Sequence, residues 1–339
     1  SLRGPEHAAF DFIDLARHQR WRLRPGDGPI PWWIFDGQRR IPATKARDFL
    51  AAAPLLWAGG DQRVSDRMVC SGPLYERLWR PLLLAALNTD PPEASAALAG
   101  AVLRESLAKG GRASRPLVAG EGLSEAFVDP AAQFLKARGS SIRYGARLKS
   151  MRFEKHMVAE LNFGDSIIEL GQDDGVVLAV PSWVAGALLP DTKTPLEQRA
   201  IVNAHFRIAP PSDLAPIIGV VNGTVEWVFS FAQRISITIS AADRLLDVAR
   251  ETLAETLWKD VAVVTGLKES LPPWQVIKER RATFAALPIE NARRPGCATR
   301  WNNLVLAGDW TQTGLPATIE GAIRSGNRAA EGWIGKAQG

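Results

Sequence analysis

The residues best suited to chemistry lie near the end of the chain, within residues 303–334. Residues 304–307 form a short apolar run typical of a central parallel strand, and Gly308 and Asp309 follow it directly. Ligands of open α/β sheets bind beyond the carboxyl ends of such strands. Gly308 permits close backbone approach there, and the Asp309 carboxylate can accept hydrogen bonds from sugar hydroxyls. These residue types predict a cofactor site at this strand end.

A helix is predicted directly after this strand, beginning at Pro316, because proline suits the first helical position. The free backbone N–H groups of Ala317, Thr318 and Ile319 would then favour an anion. A reduced flavin carries negative charge on its pyrimidine ring, which such a helix end stabilises. Strand-turn-helix units are common, so a purely structural role stays open on these residues alone.

The composition indicates an ordinary globular protein with room for two domains. The chain has 339 residues, of which 46% are hydrophobic and 23% charged. The net charge of +5 is mild, and the basic residues are scattered without interleaved aromatic residues. We therefore expect no nucleic-acid partner, and favour a solvated basic surface over a face that meets anionic lipid.

The number and spacing of cysteines and histidines argue against a fold stabilised by disulfide bonds or by a bound metal. Cys70 and Cys297 are the only cysteines, which excludes a disulfide framework and favours a reducing compartment. The four histidines show no metal-ligand spacing, so no metal is expected. The longest apolar stretch, residues 175–190, is short for a membrane span and is interrupted by Pro181 and Gly186. We predict a cytoplasmic protein that is soluble or attached peripherally to the inner face of the membrane.

The pattern of apolar residues and turn signals predicts an α/β protein with an α+β substrate part. Buried strands in mid-chain and near the end would form one parallel sheet built from distant pieces, with another domain inserted between them. The predicted elements are a strand or hairpin at 32–35, helices within 44–109, a helix at 124–138, a strand buried on both faces at 176–180, four antiparallel strands within 200–241, a helix from Ser240 or Asp243 to about Lys259, and a strand at 274–285.

The segment 304–330 closely resembles the C-terminal FAD-binding segment of the flavin amine oxidase and phytoene desaturase superfamily. Its sequence is "LVLAGDWTQTGLPATIEGAIRSGNRAA". Further segments, among them "LYERLWRPLLLAALNTDPPEASAAL" and "LPPWQVIKERRATFA", resemble the squalene-associated FAD-dependent desaturases, the hydroxysqualene dehydroxylase family of bacterial hopanoid pathways. The resemblance covers nearly the whole chain.

This resemblance implies an FAD-dependent oxidoreductase whose fold joins two parts. One part is an incomplete Rossmann-like FAD domain of the glutathione reductase and amine oxidase type, and the other is an inserted substrate domain. We expect a mainly helical substrate or cap region at 1–115, an FAD-domain segment at 116–182, a substrate domain with an antiparallel sheet at 183–290, and a second FAD-domain segment at 291–335.

The resemblance also implies the residues that contact FAD. Asp309, after Gly308, is expected at the ribityl–pyrophosphate part, and the backbone of Thr318 and Ile319 is expected to face the pyrimidine ring. These residues match the strand, turn and helix start of the family segment.

A second set of implied positions is less specific. Leu148 matches the position whose backbone meets adenine, and Val180 and Pro181 end the strand that supports that site. Pure core packing is an equally good explanation for all three.

One departure from the family is prominent. The family begins with a G-x-G-x-x-G turn that holds the FAD pyrophosphate, and no such turn occurs here; the nearest match starts at Gly120 and has Glu125 at the third glycine. We expect such a unit to precede Ser1 in the intact enzyme. Without it, we expect weak FAD binding and an exposed apolar surface that favours homo-oligomers.

The activity implied by the resemblance is the reductive removal of the hydroxyl group of hydroxysqualene, a long isoprenoid, to give squalene. This reaction needs an acid for the departing oxygen and a dry apolar cavity. Glu76, Tyr75 and Glu226 are candidates for the acid, although each also has a structural explanation.

Tryptophan is abundant, with twelve residues in the chain. Trp32, Trp33, Trp79 and Trp227 lie in the regions expected to meet the substrate. Each alone reads as ordinary core, but together they suit an isoprenoid tunnel or a rim that faces a membrane.

Two other functions remain open at this point. An isoprenoid desaturase or a flavin amine oxidase would use the same fold, although Tyr75 and Tyr144, the only tyrosines, provide poorly for the aromatic cage of an amine oxidase. A non-catalytic scaffold that lacks FAD is the alternative from a different class.

Overall fold

The computed structural model describes residues 2–337, with side chains as far as Trp333. Strands and α-helices alternate irregularly along the chain, and several short helices of other types connect them. The strands are β1 (Leu2–Arg3), β2 (Phe10–Asp14), β3 (Gln19–Leu23), β4 (Val118–Ala119), β5 (Ser150–Glu154), β6 (Met157–Asn162), β7 (Ile167–Glu169), β8 (Val176–Leu178), β9 (Gln198–Phe206), β10 (Ile217–Val221), β11 (Trp227–Phe231), β12 (Arg234–Ile239), β13 (Trp274–Phe284) and β14 (Leu304–Leu306). The α-helices are α1 (Arg80–Leu87), α2 (Ala96–Glu105), α3 (Gly111–Ser114), α4 (Asp129–Ala137), α5 (Ser182–Leu188), α6 (Arg250–Thr265), α7 (Pro288–Ala292) and α8 (Ile319–Ala337).

The largest element of the fold is a seven-stranded sheet in the order β13-β9-β12-β11-β10-β2-β3. Adjacent strands in this sheet run antiparallel, except β10 and β2, which run parallel to each other. The four predicted antiparallel strands are confirmed as β9 to β12. The last predicted strand is also confirmed, as β13. The prediction missed β2 and β3, which residues 1–115 contribute to this sheet.

Each face of the sheet is covered by its own apolar core. On one face, Phe206 and Ile237 pack with Leu257 and Trp258 of α6. On the other face, Phe12 joins a larger core that extends through α1 and α2 to β8 and β14. Strand β12 places Ile235, Ile237 and Ile239 in the core beside α6, while Ser236 is buried and Thr238 half-buried on its other face.

The predicted parallel sheet of distant pieces is confirmed by the pairing of β8 with β14, in which Leu304 lies opposite Val176. The prediction that the mid-chain strand is buried on both faces is wrong, since the Val177 side chain is 51% exposed. Only one face of β8 packs on the core, whereas all three residues of β14 are buried. The Asn303 side chain ties this pair to β6 through two hydrogen bonds of 2.8 Å with the Val158 backbone.

The predicted strand or hairpin at residues 32–35 is wrong, because these residues form the 3-10 helix Trp32–Phe35. Trp33 and Ile34, which are adjacent, both point into the core, while Trp32 and Phe35 are exposed. A strand sends neighbouring side chains to opposite faces, so it cannot place two successive side chains in the same core on one side. A helical turn can, and the Ile34 N–H closes it on the Pro31 carbonyl at 3.1 Å.

The helix predicted to begin at Ser240 or Asp243 begins later, as α6 at Arg250, after the short 3-10 helix Ala242–Leu245. Ser240 donates its N–H to Glu226 at 2.7 Å, and the Asp243 carboxylate accepts the N–H of Ala200 at 3.3 Å. Both residues are therefore engaged with the sheet and do not cap the helix.

The remaining helical predictions are confirmed in outline. Residues 44–109 contain the 3-10 helix Ala46–Trp57, the π-helical turn Tyr75–Trp79, α1 and α2. The helix predicted at 124–138 is present as a π turn followed by α4. The domain boundaries stay a prediction, and the seven-stranded sheet takes strands from both 1–115 and 183–290. None of the described helices is long and apolar enough to cross a membrane.

Candidate functional site

A cavity of about 330 Å³ lies at the carboxyl ends of β8 and β14. Val180 and Pro181, which follow β8, form one wall, and Gly308 and Asp309, which follow β14, form the next. The structure therefore brings together four of the residues that the sequence analysis selected. This is the position at which open α/β sheets bind their ligands.

Residues 281–284 of β13 also line this cavity, among them Phe284 and Arg281. Phe284 is buried, and Arg281 is exposed with its guanidinium 5.3 Å from the Trp183 ring centre. The pairing of β13 with β9 shifts register between Glu279 and Thr283, which re-aims the side chains around Arg281. The sequence analysis missed these wall residues, because no local pattern shows that β13 passes beside β14.

The two strand ends are held together by Trp310. Its indole Nε1–H donates to the Val180 carbonyl at 2.7 Å, and the Ala307 N–H donates to Leu178 at 3.1 Å. Gly308 has φ +137°, a conformation that L side chains rarely adopt. A Cβ at Gly308 would lie 2.6 Å from the Trp310 Nε1. Glycine is therefore required here both by the backbone and by the close approach of the indole.

Asp309 lies beside a buried arginine that the sequence analysis did not select. Arg294 is 5% exposed and donates to the carbonyl oxygens of Asp309 at 3.1 Å and Trp310 at 3.3 Å, and to the Thr313 hydroxyl at 3.1 Å. The Nη2 that bonds Asp309 and Thr313 also donates to the Thr311 carbonyl, and Nη1 donates to the side-chain oxygen of Asn291. Arg294 thus fixes the whole loop that follows β14. The sequence carries no signal for this role, because "NARRPG" reads as an ordinary basic turn.

The Asp309 carboxyl and the Arg294 guanidinium are both buried, and burial shifts the pKa of each. Burial raises the pKa of Asp309, and the Arg294 charge opposes that rise. Burial lowers the pKa of Arg294 to about 10, so the guanidinium stays charged at neutral pH. The Asp309 carboxyl is therefore held next to the cavity as a strong hydrogen-bond acceptor when ionised.

The helix that follows begins at Ile319, so the prediction that Pro316 takes its first position is wrong. The Thr318 hydroxyl accepts the N–H of Gly321 at 3.0 Å, which makes Thr318 the N-cap. Pro316 and Ala317 lie in the preceding turn. Because Ala322 lines the cavity, the amino-terminal end of α8 approaches it.

Leu148 does not line this cavity. It is half-buried and packs against the larger core, in the loop before β5. The packing explanation accounts for this placement, and an adenine contact at Leu148 stays a prediction.

The three candidates for the acid lie away from the Asp309 cavity. Glu76 and Glu226 line a separate cavity of about 370 Å³ that shares no lining residue with the first. Burial raises the pKa of Glu226, although its bond from the Ser240 N–H opposes this. Tyr75 is buried on the π turn with its hydroxyl beside the Cys70 thiol, and burial raises the pKa of its phenol. Catalytic roles for Glu76, Tyr75 and Glu226 stay predictions.

Two apolar cavities adjoin the larger core, which the sheet shares with the helices. The first, named the cap cavity, has about 180 Å³ and is lined by Trp33, Phe49, Leu56, Trp79 and other apolar residues of the cap region. The second, named the sheet cavity, has about 210 Å³ and is lined by residues that include Phe10, Phe12, Leu23 and Leu82. Leu107 lines both, so the two cavities adjoin.

The four tryptophans expected near the substrate are not equivalent. Trp33 and Trp79 line the cap cavity, and Trp227 is buried beside Phe12 at a ring distance of 5.8 Å. Trp32 instead is 69% exposed. The two tyrosines also differ, since Tyr144 is 84% exposed and Tyr75 is buried.

The residues at the first cavity fit a flavin nucleotide. A close-approach glycine, a carboxylate and a helix start meet at the ends of two parallel strands, and their backbone is held rigidly by Trp310 and Arg294. The fold and this site define an α/β protein that binds a dinucleotide-type cofactor.

Comparison with known proteins gives the family. A model of the flavin containing amine oxidoreductases matches residues 2–332, and the chain belongs to that family. It is an FAD-dependent oxidoreductase. This finding supports an enzyme and not the scaffold considered above.

The chain is also similar to curated proteins and to solved structures. It is 55% identical over 331 residues to the hydroxysqualene dehydroxylase of Rhodopseudomonas palustris, a match that covers 97% of this chain and 79% of the relative. It is 54% identical over 330 residues to the protein of that name from Sinorhizobium fredii, with the same coverage. A putrescine oxidase structure with bound putrescine is 14% identical and has a TM-score of 0.59, over 100% of this chain and 82% of that one, which shows a shared fold.

Proposed function

We propose that this protein removes the hydroxyl group of hydroxysqualene reductively and forms squalene. The Asp309 cavity, at the carboxyl ends of β8 and β14, is the observation that carries the flavin part of this proposal. The names of the two relatives support the substrate. In the net reaction the C–OH bond breaks, the oxygen leaves as water with one added proton, and the carbon gains a hydride.

The residues of the first cavity would hold the cofactor. Asp309 would accept hydrogen bonds from hydroxyl groups of the FAD chain, and Gly308 would allow the backbone to approach it. The backbone amides at the start of α8 would face its anionic portion. Bound FAD, when reduced, supplies the hydride.

The substrate side requires exclusion of water. The cap cavity is lined by apolar residues alone, and the sheet cavity by apolar residues together with Ser106, Ser114 and Arg115, which matches a long hydrocarbon. Loss of an allylic hydroxyl leaves positive charge on carbon, and the rings of Trp33 and Trp79 can stabilise such charge through their π faces. An apolar environment also protects the reacting carbon from water.

The test has a binding readout and a product readout. FAD binding to the chain is measured by flavin fluorescence for the wild type, Asp309→Leu and the isosteric control Asp309→Asn. We expect Asp309→Leu to weaken binding about tenfold or more, because a buried polar contact is lost, and Asp309→Asn to weaken it less. Reduced FAD-loaded protein is then incubated with hydroxysqualene, and squalene is measured by mass spectrometry.

The two readouts separate the parts of the proposal. If Asp309→Leu binds FAD as well as the wild type, the flavin site assigned here is wrong. If FAD binds but no squalene forms, the substrate assignment is wrong.

A further inference from the structure

Five large apolar side chains project into solvent from the cap region. Together they are named the tryptophan rim. Their exposed fractions are 58% for Ile30, 69% for Trp32, 66% for Phe35, 64% for Leu50 and 76% for Trp57. Single exposed apolar residues are normal on a soluble protein, but a contiguous group marks an interaction surface.

The two helices that carry four of the five rim residues touch each other. The 3-10 helix Trp32–Phe35 packs on the 3-10 helix Ala46–Trp57. The Trp32 and Phe35 rings lie 6.2 Å apart, and Leu50 and Trp57 belong to the second helix. Ile30 lies two residues before the first helix.

The rim borders the cap cavity. Leu50 belongs to the rim and also lines this cavity, together with Pro31, Ile34 and Leu56. Through Leu107 the cap cavity adjoins the sheet cavity. The exposed apolar surface therefore continues from solvent toward the interior of the protein.

The charges around the rim favour an anionic partner. Residues 24–67 contain seven arginines and lysines and five aspartates. Several of these aspartates are used locally: Asp48 accepts the N–H of Lys45 and Asp36 that of Gln38, at 2.8 and 2.9 Å. Lys45 and Arg47 are exposed at the start of the second helix. Anionic headgroups attract such residues.

We propose that the tryptophan rim lies in the interfacial region of an anionic phospholipid bilayer and that the substrate enters the cap cavity from the lipid. The proposal rests on the proposed function for its substrate, because a long isoprenoid dissolves in the bilayer and not in water. Tryptophan rings prefer the headgroup level of a membrane, and basic residues beside them hold the phosphates. The protein is thus monotopic.

A second apolar surface provides the internal control. Phe134 and Leu135 of α4 are 55% and 43% exposed, and no residue of α4 is buried. Neither residue lines the cap cavity or the sheet cavity. A hydrocarbon that left the membrane at this surface would meet neither cavity, so we place the bilayer at the rim.

The experiment is flotation of the full chain with vesicles of phosphatidylcholine containing phosphatidylglycerol, compared with pure phosphatidylcholine. We expect the wild type to float with the anionic vesicles. The double variant Trp32→Ser/Trp57→Ser should bind about tenfold more weakly or worse, because two interfacial rings are lost. Lys45→Glu/Arg47→Glu should lower binding to the anionic vesicles alone. Phe134→Ser/Leu135→Ser, the matched control, should float like the wild type.

Three outcomes would overturn the proposal. The wild type does not float, or the rim variant floats as well as the wild type, or the α4 variant is the one that loses binding. Size-exclusion chromatography of the same proteins adds a fourth: a rim that joins two copies would give a wild-type dimer that Trp32→Ser/Trp57→Ser converts to monomer without any vesicle binding.

Failure of the proposed function remains distinguishable. Squalene formation is measured in detergent micelles, where no bilayer is needed. If the protein floats with vesicles but forms no squalene, the substrate assignment is wrong and the membrane proposal stands. If squalene forms but the protein does not float, only the membrane proposal is wrong.

Discussion

The seven-stranded sheet and the flavin segments are built on different physical principles. The sheet has an apolar core on each face, and its strands β9 to β12 are fixed by continuous backbone pairing. The flavin segments have the three-stranded sheet β5-β6-β7 and the short pair β8 and β14, with Val177 exposed on one side of that pair. Polar contacts from Trp310, Asn303 and Arg294 position them. The sheet is therefore stabilised mainly by buried area, whereas the walls of the flavin cavity combine the core contacts of β8 and β14 with a few specific hydrogen bonds.

The largest expected effect lies in the sheet. Ile237 is fully buried between β9 and α6, and Ile237→Ala should lower the free energy of unfolding by about 3 kcal/mol, because it leaves a cavity in a closed core. Val177→Ala, at a half-exposed position on β8, should cost under about 1 kcal/mol. Urea unfolding followed by circular dichroism measures both. Equal costs would mean that the two regions are not stabilised differently.

In the flavin segments, we expect a comparable loss of stability when Arg294 is replaced. Arg294→Met keeps the length of the side chain but leaves the carbonyl oxygens of Asp309 and Trp310 without their donor, which should cost about 3 kcal/mol. The neighbour Arg293 is half-buried and lies 3.8 Å from Glu290, so Arg293→Met should cost under about 1 kcal/mol.

Hydrogen exchange locates this loss. Amides of residues 303–325 should exchange faster in Arg294→Met, while β9 to β12 keep their protection. If Arg293→Met and Arg294→Met behave alike, Arg294 does not hold the loop.

The smallest expected losses of stability come from two glycine variants, which separate the cost of a positive φ from the cost of crowding against Trp310. Gly308→Ala should cost about 2 kcal/mol, since the new methyl must displace Trp310 from Val180 in addition to adopting positive φ. Gly314 has φ +83° but open space around it, so Gly314→Ala should cost only about 1 kcal/mol. Thermal unfolding compares the two variants. A larger loss at Gly314 would contradict the packing described for Trp310.

Much of the substrate sheet was predictable because alternation and turn signals are local. The strand at 304–306 and its partner at 176–178 were found as continuous apolar runs, and their parallel pairing followed from the fold class. Predictions failed where a distant contact overrode a local rule. The apolar pattern of residues 32–35 predicts a strand, but the adjacent side chains of Trp33 and Ile34 both enter the same core, which requires a helical turn.

The sequence by itself determined the chemical types at the site: a glycine, a carboxylate and a helix start that follow an apolar strand. Only the tertiary structure decided that Arg294 secures this loop and that Arg281 and Phe284 face it from another strand. It alone also gathered Trp32, Leu50 and Trp57 into one exposed rim beside a cavity. Spacing along a chain records which residues share a helix or strand face, whereas proximity between separate elements arises only when those faces pack.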